Sequence, residues 1–268
     1  MGTRSRFFLE IAYDGAAYHG WQVQENATSV QEILNQALRT VLREEIETVG
    51  CGRTDTGVHA REFFVHFDTV SPRLAPEYPA LAREISRIIH SLNGLLPYDI
   101  AVKRLIPVAP DAHARFDATL RSYEYHVHFS KDPFRHGFSW FLRDRPDPGL
   151  MNRAAEIIME YRDFSCFSKS NTQTFTNNCV VSRALWVDQA DRLVFHISAD
   201  RFLRNMVRAI VGTLVEVGRK AIAPEDIRKI IESKNRSQAG TSVPACGLYL
   251  TEVRYPYIEH TEKSGWQK

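Results

Sequence analysis

The order in which helical and strand periodicities succeed one another constrains this chain most. Residues 7–14 read as a strand ending in the turn Asp14-Gly15. Residues 29–43 read as a helix, with Val30, Ile33, Leu34, Ala37, Leu38, Val41 and Leu42 at helical spacing and Ser29 with Glu32 as a capping box. Strands follow at 46–51 and 62–68, the second carrying Phe63, Phe64, Val65, His66 and Phe67 and therefore expected to be largely buried. After a Pro-rich loop (71–79) come a helix at 80–92 and a strand at 100–105, so this half reads βαββαβ.

The second half repeats that order. Strict alternation at 122–129 puts Tyr123, Tyr125, Val127 and Phe129 on one face. A loop at 131–149, rich in Pro, Arg and aromatics, precedes a helix at 150–161, strands at 180–188 and 192–198, a long helix at 201–217 and a final strand at 247–255. Two split-βαβ units in succession predict an α+β fold. It would have two ferredoxin-like βαββαβ halves, residues 1–107 and 108–268, with mainly antiparallel sheets flanking a central cleft. Such junctions are where ligands commonly bind.

Composition sets outer limits. With 44% hydrophobic and 25% charged residues, an ordinary folded protein is expected rather than a disordered or fibrous one. The net charge of +2 does not announce a nucleic-acid binder, so any basic surface must come from clustering of the 34 Lys and Arg. Four scattered cysteines without CxxC spacing fit a reduced compartment. The N-terminal segment lacks the apolar core of a secretory signal, and no run approaches the roughly 18 apolar residues of a membrane span, so a cytoplasmic, membrane-free setting is expected.

The densest polar cluster, Gly50-Cys-Gly-Arg-Thr-Asp-Thr-Gly-Val-His-Ala60, lies between two predicted strands. Its glycines permit positive φ or the close approach of a ligand, and Arg53 and Asp55 present opposite charges from one loop. A long hairpin with an ordinary ion pair is the alternative reading. A dinucleotide loop is excluded, because Asp55 breaks the GxGxxG spacing and no helix follows.

The stretch Gly52-Arg-Thr-Asp-Thr-Gly-Val-His59 closely resembles the GRTD(A/S)GVH signature of the TruA family of tRNA pseudouridine synthases. Further matches occur in family order: Tyr13-Asp-Gly, Gly20-Trp-Gln, Ser29-Val-Gln-Glu32, Asn93-Gly-Leu-Leu-Pro-Tyr-Asp-Ile100, His113-Ala-Arg-Phe116, Arg121-Ser-Tyr-Glu-Tyr125, Asp163-Phe164, Phe202-Leu-Arg-Asn-Met-Val-Arg208, Val211-Gly212 and Gly247-Leu-Tyr-Leu250. The resemblance implies the pseudouridine synthase fold. It also implies isomerisation of uridine to pseudouridine at three successive positions of the tRNA anticodon stem-loop, on a flipped-out base, with no cofactor and no metal, in a cytoplasmic homodimer.

Residue by residue, the resemblance makes Asp55 the essential aspartate, able to attack the sugar carbon, to stabilise positive charge there, or to take a proton. It sets Arg53 and Arg208 around Asp55 as catalytic partners, Tyr123 as the active-site tyrosine, and Leu248 as a substrate contact. Base stacking on a ring such as Tyr123 typically contributes about 1–3 kcal/mol. His59, His113, Arg115 and Phe116 are carried over as RNA contacts. So are Arg201 and Arg204, which the helical reading of 201–217 places on one face with Arg208; a solvated face is the alternative for those two. The chain departs from the family pattern at Thr56, Arg201 and Arg204-Asn205. His59, His66, His126 and His128 have no completing ligand set and are read as structural or solvated rather than metal-binding. A non-catalytic RNA binder and an N-glycosidic hydrolase are the competing classes.

Overall fold

In the computed structural model, which describes residues 4–168 and 175–259, the first half comprises β1 (Ser5–Tyr13), α1 (Val30–Leu42), β2 (Val49–Gly50), β3 (His59–Thr69), α2 (Leu81–Leu95) and β4 (Ile100–Val108). The second half comprises β5 (Leu120–His128), β6 (Trp140–Phe141), α3 (Pro148–Met159), β7 (Val181–Asp188), β8 (Arg192–Ala199), α4 (Met206–Gly218), α5 (Asp226–Glu232) and β9 (Leu248–Arg254). The α+β class and the order of main elements follow the sequence reading. Ser29 caps α1, its Oγ accepting from the Glu32 N–H at 3.3 Å.

Four local expectations are corrected. The strand expected at 46–51 shrinks to β2, because Thr48 donates both its N–H and its hydroxyl to the Asn35 side chain instead of a ladder. The second strand starts earlier, at His59. The helix expected at 201–217 begins only at Met206: Asn205 sits in the left-handed region (φ 66°), so 201–205 forms an irregular approach. The short helix α5 was not foreseen.

The largest difference is in the sheet. Instead of two sheets flanking a cleft, the strands form one nine-stranded sheet in the order β4-β1-β3-β9-β5-β8-β7, with β2 on β3 and β6 on β5. All the main pairings are antiparallel except β3 with β9, which is parallel and joins the halves through His59↔Tyr249 and Ala60↔Leu250. The last strand thereby serves both halves. Leu248 packs into the core of α3, α4 and β5–β8, while Leu250, Val253 and Tyr255 pack into the core of β1, β3, α1 and α2. Tyr123 touches both cores, so it marks the junction where a ligand would meet both halves.

Candidate active site

Asp55 lies in the loop between β2 and β3, its side chain 26% exposed. Segments before α1 fix the backbone around it. The Trp21 N–H donates to the Thr54 carbonyl (3.3 Å), the Gly57 N–H donates to the Tyr18 carbonyl (3.3 Å), and the Tyr13 hydroxyl and Thr54 Oγ1 share a hydrogen bond at 2.9 Å. Gly20 is required here. Its φ is +89°, and a Cβ would lie 2.4 Å from the Thr54 carbonyl oxygen. The sequence signals Tyr13-Asp-Gly and Gly20-Trp-Gln, which carried no assigned role, thus support the Asp55 loop.

Two guanidinium groups flank the Asp55 carboxylate: Arg208 Nη1 is 3.6 Å from Oδ2 and Arg204 Nε is 3.6 Å from Oδ1. Arg208 projects from the first turn of α4 and is held by donation from Nε to the Val243 carbonyl at 2.7 Å. Because Asn205 breaks the helix, Arg204 turns back onto Asp55 instead of lining a helical face with Arg201 and Arg208. Arg53 is exposed and pairs with no carboxylate among the described residues. Two cations, Arg204 and Arg208, thus bracket the acid.

Tyr123 points into the same junction. Its half-buried ring meets Phe202 edge-on, with centroids 5.1 Å apart at 88°. Burial raises the phenol well above its usual range, with Cys51 and Asp55 adding in the same direction, so it remains a proton donor at neutral pH. Leu248 is buried at the start of β9, paired with Tyr125.

Arg121 received no role from the sequence, yet it ties the surrounding loops together. Its Nη2 donates to the carbonyls of Cys51 and Arg115 (2.7 Å each), and its Nη1 donates to Asp200 (2.9 Å) and Ala118 (3.4 Å). A rigid planar fork suits this task, since its donors are fixed relative to one another. Its place beside Tyr123 in the strand motif was the only signal for it.

The turn at 113–117 is thus bound to the Asp55 loop. Arg115 and Phe116 are exposed, and His113 is half-buried with its Nδ1 accepting from the N–H groups of both. Burial, with Arg53, Arg121 and Arg201 as neighbouring cations, pulls the Arg115 guanidinium below the usual arginine range. Arg53 and Arg201 therefore bear on Arg115 as neighbouring positive charges.

His59 faces the protein. It is 2% exposed, its Nε2 reaches the carbonyls of Gly137 and Cys246 (3.2 Å each), its Nδ1 reaches the Gly15 N–H (3.1 Å) and an Asp14 carboxylate oxygen (2.9 Å), and its ring is stacked between Tyr249 and Phe138. The ring is thus enclosed by the protein on both faces. It fastens the 131–149 loop and the 244–247 segment to the motif. Among the described residues no group of three or more His, Cys, Asp or Glu side chains is gathered as a metal ion requires, and no helix is long and apolar enough to cross a membrane.

A family model described as tRNA pseudouridine synthase matches residues 161–256. Proteins named tRNA pseudouridine synthase A are similar along nearly the whole chain. That of Parabacteroides distasonis is 46% identical over 251 residues (94% of this chain, 96% of the relative). The Bacteroides thetaiotaomicron protein is 47% identical over 265 (97% and 95%), and the Porphyromonas gingivalis protein 48% over 254 (94% and 98%). The chain belongs to the tRNA pseudouridine synthase A family, whose members are isomerases.

Proposed function

We propose that this enzyme, which as a tRNA pseudouridine synthase isomerises uridine to pseudouridine in tRNA, acts on the anticodon stem-loop, without a cofactor and with Asp55 as the group that starts the reaction. The observation that carries this reading is the Asp55 carboxylate held between Arg204 and Arg208, facing the junction that Tyr123 occupies. The reaction breaks the N1–C1′ bond, turns the uracil and joins C5 to C1′; the C5 hydrogen leaves as a proton and N1 takes a proton up. Oxidation state is conserved, so the electrons balance without a redox partner. An ionised carboxylate can attack C1′, balance its positive charge, or remove a ribose proton.

In this reading Arg208 and Arg204 hold the Asp55 carboxylate in place, and Tyr123 stacks on the uracil and donates from its hydroxyl. In the same reading Leu248, at the start of β9, is a substrate contact. Arg53, Arg115 and Arg201, with His113 and Phe116, meet the RNA backbone around the flipped base. A carboxylate facing phosphates would weaken a protein whose only task was to bind RNA, which favours turnover over simple binding.

The same proposal treats residues 1–107 and 108–268 as two ferredoxin-like halves. Support comes from the strand order: β4-β1-β3-β2 in one and β9-β5-β8-β7 in the other. A cytoplasmic homodimer completes it, testable by light scattering with and without tRNA.

The test of the chemistry is tritium release from tRNA labelled at C5 of uridine. Release by the wild type that is lost in Asp55→Ala and in tRNAs lacking anticodon-arm uridines is expected. Release independent of Asp55 would refute the assignment, and free uracil as product would indicate a hydrolase.

A further inference from the structure

A uridine within a paired stem reaches a partly buried carboxylate only by leaving the stack, and the stack it leaves must be supported. Phe116 stands in the position to do that. It is 74% exposed, an unusual state for phenylalanine, yet it is firmly held. His113 covers its ring with centroids 4.2 Å apart at 32°, and His113 Nδ1 accepts from the backbone N–H groups of Arg115 (3.1 Å) and Phe116 (3.3 Å). The His113 N–H donates to Asp117 Oδ2 (2.7 Å), and the Ala114 N–H donates to His66 Nδ1 (3.1 Å). The backbone donors from 113 to 116 are therefore satisfied, and the ring projects from a preformed turn.

Its surroundings suit a nucleic acid. The Arg115 guanidinium lies 5.6 Å from the ring centroid, and Arg53 and Arg201 are neighbouring cations of Arg115. Arg121 Nη2, 2.7 Å from both the Arg115 and the Cys51 carbonyls, fixes this turn against the loop that carries Asp55. Phe134 and Tyr98 are more exposed still, but neither has a ring or cation partner among the described residues, nor a tie to the Asp55 loop.

We propose that Phe116 is a stacking wedge: when the target uridine turns out towards Asp55, the Phe116 ring takes its place against the adjacent base of the RNA stem. Arg115 then swings from the ring to a flanking phosphate, joined by Arg53 and Arg201. This rests on the reading of the reaction given above.

Two anticodon-arm hairpins separate the ideas, one with the target uridine paired to adenosine and one with it as a single-nucleotide bulge, already out of the stack. Single-turnover rates are measured for the wild type, Phe116→Ala, Phe116→Trp and Asp55→Asn. A wedge predicts that Phe116→Ala loses about 10- to 100-fold on the paired hairpin, less than about threefold on the unstacked one, and that Phe116→Trp restores the rate. Equal losses on both hairpins, or no loss on either, would overturn it. An Asp55→Asn enzyme as active as wild type would instead overturn the reading of the reaction. A second readout needs no turnover: 2-aminopurine beside the target uridine should be more quenched when bound to Asp55→Asn than to Asp55→Asn with Phe116→Ala. Equal emission would again exclude the wedge.

Discussion

Arg208 holds the Asp55 carboxylate with one end of its guanidinium, Nη1 to Oδ2 at 3.6 Å, while its Nε is committed to the Val243 carbonyl at 2.7 Å. The carbonyl contact orients the group, and the open edge of the fork is presented to the acid. Arg204, more exposed and free of any such anchor among the hydrogen bonds of the described residues, approaches the other oxygen at the same distance. The two cations should therefore differ in weight. We expect Arg208→Lys to lower kcat roughly 100-fold, because an ammonium cannot meet both partners, and Arg204→Lys to lower it only about 2- to 5-fold. Single-turnover kinetics on a common tRNA substrate would check the ratio; equal effects would mean that Val243 does not orient the catalytic cation.

Arg121 supplies hydrogen bonds to the carbonyls of Cys51, Arg115, Ala118 and Asp200 from one side chain. Replacement by Met keeps the apolar stem but leaves those acceptors without their donor. Arg121→Met should destabilise the protein by about 2–4 kcal/mol. It should also lower kcat at temperatures where the variant remains folded, because the Asp55 loop loses its tie to the 113–117 turn. Urea melts paired with kinetics below the transition test both parts.

The pH dependence of stability has a named contributor in His66. This side chain is 6% exposed, accepts from the Ala114 N–H at Nδ1, and has its pKa pushed down to about 4 by burial, with Arg6 and His113 adding to the effect. The unfolded imidazole takes a proton near pH 6.5. Between about 6.5 and 4 the unfolded state therefore binds more protons than the folded one, so stability falls as pH falls through this window and the loss levels off below it. The expected contribution is on the order of 2–3 kcal/mol. His66→Asn, which keeps an acceptor for Ala114 but does not titrate, should flatten the plot of urea midpoint against pH. An unchanged slope would exclude His66 as the source.

Salt dependence of tRNA binding separates Arg115 and Arg201 from the buried motif histidine. Arg115→Ala and Arg201→Ala should each reduce the slope of log K against log salt by about 1, as expected for one lost phosphate contact. His59→Gln should leave that slope unchanged while lowering Tm, since its ring is enclosed by Tyr249 and Phe138. A reduced slope for His59→Gln would show that the segment opens to the RNA.

The alternation at 122–129 and the helical spacing at 30–42 were legible because burial imposes those periods locally; Tyr125, Val127, Leu34 and Leu38 are all buried as the pattern requires. Leu203, Met206, Val207 and Ile210 likewise pack inward. What spacing could not convey was the left-handed turn at Asn205, since Asn neither forbids nor demands a helix start, and with it the redirection of Arg204 to Asp55. Nor does a loop sequence say which of its side chains points out, as the exposed Arg53 does. The joining of the halves was illegible for a different reason: the β3–β9 pairing links residues 190 positions apart in the chain and leaves no local signature.

That pairing has a consequence for synthesis. A chain emerging from the ribosome presents residue 55 early, but β9, which completes the sheet beside His59, and Arg204 and Arg208, which bracket the acid, all come from its last third. Until then the edge of β3 that β9 will cover stays open, and the acid stands without its cations. Any product truncated before β9 would carry the motif loop but leave that edge of β3 uncovered.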